Sequence, residues 1–212
     1  MRKFIHVTVL PFLLLVTLLM ADVVPIFEIY KLPEGTLVEA TGVVLVQPNN
    51  LMSKTTWIQD QTAGIMLYGN LPSLKIGDVV KVTGKTKLYY GILEILPEKV
   101  EVIGTTQVVP VDINKLFEEE AKKGEINDKK VKELLNRVMS QLVVVNGTIT
   151  DISGYQFTLK TDYFEILIYL RKEANVSTKQ LSKGDKVTVM GIMYLYKDTF
   201  EILPRFQEDI KK

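Results

Sequence analysis

Hydrophobic and polar positions divide the chain into two regimes. From Val7 to Met20 it is apolar apart from Thr8 and Thr17, with Leu13-Leu14-Leu15-Val16 at the centre. Beyond Ala21 the apolar runs become short, alternate with polar residues, and are punctuated by Gly, Pro and Asn. Alternation with period two is the signature of half-buried strands. It predicts a first strand over Leu37–Val46, with Gly42 inside it as a bend. A hairpin, Thr55–Asp60 and Ile65–Tyr68, follows around Gln61-Thr62-Ala63-Gly64, then a strand through Val80, Val82 and Gly84, and a last one through Leu93 and Ile95. The same series returns as Leu142–Asp151, Tyr155–Lys160, Glu165–Leu170, Lys186–Tyr194 and Thr199–Leu203.

Between the two series the period changes to that of a helix. Leu116 to Gly124 reads as a helix with a glycine stop. Asn127 or Asp128 can cap a second helix, whose apolar positions Val131, Leu134, Leu135 and Val138 share one face. That face is expected to pack on a barrel or on the contact between domains.

The recurrence is a duplication. Gly77–Pro97 (GDVVKVTGKTKLYYGILEILP) aligns without a gap on Gly184–Pro204 (GDKVTVMGIMYLYKDTFEILP) at an offset of 107, with 11 of 21 positions identical. The identities include Gly84/Gly191, Tyr89/Tyr196 and Glu94/Glu201. Upstream, Val23-Val24-Pro25-Ile26 pairs with Val108-Val109-Pro110-Val111, and Gly42 with Gly147. The expected class is all-β with a small helical insertion: unit one over 22–104, a linker with helices over 105–140, and unit two over 141–212.

Five short strands, a mid-strand glycine and a G-D-x-V-x-V-x-G strand resemble the OB fold. The stretch Trp57-Ile58-Gln59-Asp60-Gln61-Thr62-Ala63-Gly64-Ile65 is similar to the second and third strands of OB domains that accompany bacterial secreted nucleases, and of those that bind the anticodon in some aminoacyl-tRNA synthetases. The resemblance implies two tandem five-stranded OB barrels. Unit two departs from the hairpin pattern, with Lys160-Thr161-Asp162-Tyr163 in place of Asp60-Gln61-Thr62-Ala63-Gly64.

The apolar N-terminal run, preceded by Arg2 and Lys3, reads as a signal peptide or signal anchor over residues 1–21, with cleavage after Ala21. The remainder is then expected outside the cytoplasm, periplasmic or secreted, and attached to a membrane only if the leader stays uncleaved. The chain contains no Cys and a single His, His6, which lies in that leader. Without either residue in the exported part, Ser-His-Asp and Cys-His triads and ordinary zinc sites are excluded, and no cofactor or metal is implied. The sequence thus points to binding rather than catalysis. Lys plus Arg number 26 and Asp plus Glu 25. Unit two carries 10 basic and 9 acidic residues, so nucleic-acid binding would have to rest on a local patch.

OB domains present ligands with strands two and three and the loops joining strands one–two and four–five. In unit one this selects Trp57, Gln59, Tyr68, Lys85, Lys87, Tyr89 and Tyr90, with the Asn49–Lys54 loop. In unit two it selects Phe157, Tyr169, Arg171, Lys172, Tyr194, Tyr196 and Lys197. Flat aromatic rings stack on bases and nearby cations meet phosphates, so the implied ligand is single-stranded DNA or RNA. Trp57 and Phe157 would serve equally well as core residues. Glu94 and Glu201 read as polar partners for turns or as a weak metal or sugar site. The alternative to nucleic acid is a protein or glycan partner.

Overall fold

The computed structural model describes residues 24–212. The expected leader and its cleavage point lie outside the described residues. Among those described, no helix is long and apolar enough to cross a membrane.

Unit one contains β1 (Leu37–Val44), β2 (Thr55–Gln59), β3 (Gly64–Tyr68), β4 (Asp78–Tyr89) and β5 (Ile92–Thr105), preceded by the short helix α1 (Ile26–Ile29). The strands form a closed ring in the order β1-β2-β3-β5-β4. Every pairing in it is antiparallel except β3 with β5, where Met66 lies opposite Glu94 and Leu67 opposite Ile95. Unit two repeats this with β7 (Leu142–Ser153), β8 (Gln156–Lys160), β9 (Glu165–Tyr169), β10 (Lys186–Tyr196) and β11 (Thr199–Leu203). Its ring runs β7-β8-β9-β11-β10 and closes through β10–β7, with the parallel pair now between β9 and β11. Short strands β6 (Val111–Asp112) and β12 (Ile210–Lys211) add to β7 and β10. The chain is two tandem OB-fold barrels.

The alternation seen in sequence is what closes each ring. Val38, Ala40 and Val44 point into barrel one and Val187 and Val189 into barrel two, while their neighbours along the strand are more exposed. The retained mid-strand glycine marks a close approach between strands. A Cβ at Gly147 would lie 2.5 Å from the Lys160 carbonyl oxygen of β8, and one at Gly42 would lie 3.0 Å from that of Gln59.

Each barrel is plugged at one end by the helical segment before it. Ile26 and Ile29 of α1 are fully buried in core one. Asp60, from the β2–β3 hairpin, holds α1 in place by accepting from the Ile26 N–H at 2.9 Å. Its other oxygen accepts from the N–H groups of Thr62 and Ala63 at 2.7 and 2.8 Å. In unit two the plug is α2 (Ile113–Ala121) with α3 (Asp128–Arg137). Helix α2 starts three residues before Leu116, because Asp112 accepts from the Lys115 N–H and the apolar Ile113 is drawn into the core. Asn127 caps α3. Phe117, Leu134, Leu135 and Val138 belong to the same buried cluster as Phe157 and Leu159, so the helices are an integral part of barrel two.

A third cluster joins the barrels. Leu45, Val46, Leu51, Trp57, Met66 and Ile92 from unit one meet Leu142, Ile192, Tyr194 and Leu203 from unit two. Polar contacts tie the same junction. The Gln59 side chain accepts from the Leu142 N–H and donates to the Val109 carbonyl. Buried Arg205 pairs with Asp209 through two nitrogens at 2.9 Å and reaches across to the Leu45 carbonyl at 2.8 Å. Asn50 donates back to the Arg205 carbonyl.

Candidate functional site

The outer face of β2 and β3, where an OB barrel ordinarily presents its ligand surface, is covered in unit one by barrel two. Trp57 is 0% exposed, with its ring edge-on to Tyr194 at 6.4 Å. Its Nε1 has no hydrogen-bond partner among the described residues. The expected stacking platform is instead a packing residue, and Gln59 is a bridge between barrels. Phe157 points into the core of barrel two, because its place in β8 puts its side chain on the inner face, so it too has no ring face open to a ligand.

What remains open is a rim at the ends of the strands, and it appears twice. The first cleft, about 200 Å³, is lined by Tyr68, Lys87, Tyr89, Glu94 and Tyr194, with Met52 and Ser53 from the Asn49–Lys54 loop. The second, about 390 Å³, is lined by Gln156, Tyr169, Arg171, Tyr196, Thr199 and Glu201. The correspondence follows from register. Lys87 lies opposite Glu94 across β4–β5, and Tyr194 lies opposite Glu201 across β10–β11. Tyr89 and Tyr196, equivalent in the repeat, are each 52% exposed at their hairpin tips. At the first tip Tyr90 and Gly91 both have positive φ, the backbone of a two-residue type I′ turn. This turn lifts Tyr90 to 83% exposure and sets its ring edge-on to Tyr89 at 4.6 Å.

Where unit one has Lys87, unit two has Tyr194, and Arg171 supplies the cation from the segment after β9. Arg171 lies over both Tyr169 (5.0 Å) and Tyr194 (5.3 Å). Tyr194, buried at the barrel junction, lines the first cleft and Arg171 the second, so their stack stands between two adjacent clefts. Lys87 and Lys197 lie 5.4 Å from the rings of Tyr89 and Tyr196. Lys85 is exposed beside Glu98, and Lys172 is exposed just beyond Arg171.

The structure therefore brings Tyr68, Lys87, Tyr89 and Tyr194 to one cleft and Tyr169, Arg171 and Tyr196 to its neighbour, with Tyr90, Lys85 and Lys197 near the rims. Trp57, Gln59 and Phe157 are part of neither. Two residues read from the sequence as turn partners or as a weak metal or sugar site line the clefts, one in each: Glu94 is 2% exposed and Glu201 5%. Their recurrence at the same place in both repeats was the available signal. Burial raises both carboxyl pKa values, partly offset by Lys87 for Glu94 and by Arg171 for Glu201. The cations stand 3.9 and 4.0 Å away, beyond hydrogen-bond reach. Glu201 Oε2 and Arg171 Nε are buried with no hydrogen-bond partner among the described residues. Burial likewise raises the Tyr194 hydroxyl pKa, against the pull of Arg171 and with Glu201 and Glu94 adding to the rise.

No protein-family profile matches the chain. It is 28% identical over 174 residues to a protein named Endonuclease YhcR from Bacillus subtilis (strain 168), covering 74% of this chain and 13% of that protein. Among solved structures, it is similar to asparaginyl-tRNA synthetase from Pyrococcus horikoshii (TM-score 0.34, 18% identity, 69% of this chain and 41% of that one). It is also similar to a murine DNA-binding protein solved with double-stranded DNA (TM-score 0.36, 11% identity, 78% and 92%).

Proposed function

We propose that this chain binds single-stranded nucleic acid across the two adjacent clefts, and that it acts by binding rather than by catalysis. The observation that carries this reading is the doubled cleft, with an exposed tyrosine at each hairpin tip and a cation beside it. Rings open on one face accept a stacked base of any sequence, and adjacent Lys and Arg neutralise phosphates. The similarity to part of a protein named an endonuclease favours the same class of ligand. We place the chain outside the cytoplasm, on the basic-then-apolar pattern of residues 1–21.

Anisotropy of a labelled single-stranded oligonucleotide, titrated at low and at moderate salt, tests the reading. Binding is expected at low salt and weakens steeply as salt rises. Replacing Tyr89 and Tyr196 by Ala should cost about 1–3 kcal/mol per lost stacking partner. Absence of binding at low salt, or unchanged affinity in both variants, would overturn it. A glycan ligand is the competing reading, favoured by the carboxylate beside tyrosine in each cleft; binding of a polysaccharide that resists salt would select it.

A further inference from the structure

We propose that each cleft is a pocket for one guanine base, which makes the binding selective rather than sequence-blind. This rests on the nucleic-acid reading above. In each pocket the buried carboxylate accepts the base N1–H and 2-amino hydrogens, and the neighbouring cation donates to O6.

The argument starts from the residues that stacking and phosphate neutralisation leave unexplained. A carboxylate in a cleft that receives phosphates is unfavourable unless it meets donors, yet one stands at the same register position in both barrels. Neither is spent on the fold. Glu201 Oε2 is fully buried and unpartnered, and Glu94, itself 2% exposed, has its nearest cation 3.9 Å away, too distant to donate to it. A buried acceptor without a donor is costly, and a carboxylate that recurs at the equivalent position of the other barrel suits a ligand that brings its own donors. An ionised carboxylate offers only acceptors, while Lys and Arg offer only donors. Side by side, each pair presents one donor flank and two acceptor oxygens.

The edges of the bases discriminate among themselves against that pattern. Guanine presents an acceptor, O6, next to two donors, N1–H and the 2-amino group. Thymine and uracil present acceptor, donor, acceptor. Cytosine presents one donor and two acceptors, and adenine one donor and one acceptor. Only guanine matches a cation beside a carboxylate along its whole edge. Unstacked bases in single strands are commonly read on this edge while resting on an aromatic face. Tyr89 and Tyr196 supply that face at the mouths of the two clefts.

The test compares oligonucleotides of about 12 nucleotides, within the span an OB barrel covers. One is all thymine, one carries a single central guanine, and one carries inosine there, which lacks the 2-amino group. The full chain is expected to bind the guanine oligonucleotide about tenfold more tightly than the thymine one, with inosine losing most of that gain. Combining Glu94→Gln with Glu201→Gln should bring the guanine-to-thymine ratio toward one, since each amide places a donor where the base also donates. Equal affinity for all three oligonucleotides on the unmodified chain overturns the guanine pocket while leaving nucleic-acid binding intact. Absence of binding to any of them removes the underlying reading and this one with it.

Discussion

At the scale of single residues, Asp60 shows how one side chain can organise a barrel end. Its carboxylate closes the β2–β3 hairpin and caps the entry of α1. Burial raises its pKa, but hydrogen bonds from the Thr62 hydroxyl and from the N–H groups of Ile26, Ala63 and Thr62 together hold it below the ordinary value of 3.8. A depressed folded-state pKa means that the unfolded chain takes up the proton first. The stabilisation is therefore present above the unfolded value and is lost as pH falls through the folded one. Asp60→Asn should lower stability at neutral pH by about 1–2 kcal/mol. Thermal melts over a descending pH series should show variant and parent converging at acid pH; a constant gap would mean that the charge does not matter.

At the scale of elements, helices α2 and α3 complete barrel two. Val131, Leu134, Leu135 and Val138 announced an apolar face by their spacing, and three of the four are buried. The start of α2 was harder to read, because Asp112 is both the last residue of β6 and the cap of the helix. Phe117 packs against Phe164 with ring centroids 4.4 Å apart and planes tilted by 37°, within that buried cluster. Truncating it to Ala should cost about 3–5 kcal/mol through lost burial and the cavity left behind. Denaturant unfolding followed by circular dichroism measures this; a loss below about 1 kcal/mol would mean that the helices are not integral to the barrel.

At the scale of the whole molecule, the barrel junction determines which surfaces are free. It is pinned by Arg205, whose guanidinium contacts Asp209 of its own unit and the Leu45 carbonyl of the other. Asp209→Ala leaves that cation buried without its counter-charge and should cost about 3–5 kcal/mol. Arg205→Met removes the charge as well and should cost less. Chemical denaturation of the two variants decides the order; if Arg205→Met is the more damaging, the hydrogen bond across the junction matters more than the ion pair.

The sequence by itself determined the succession of short strands, the duplication and the inward side of strands such as β1 and β10, because period-two alternation and retained glycines are local properties of the chain; in β8 it left Phe157 open to either face, and the fold turned it inward. It also contained the doubled carboxylates, visible as Glu94 and Glu201 at one offset. Only the tertiary structure decided which outward residues are free. Trp57 and Tyr89 both lie outside the barrel cores, yet Trp57 is sealed against barrel two and Tyr89 is open. An apolar outward side chain reads the same along the chain whether it awaits a ligand or another domain. The choice is made by contacts between segments more than 100 residues apart, such as Trp57 with Tyr194, and no local pattern records them.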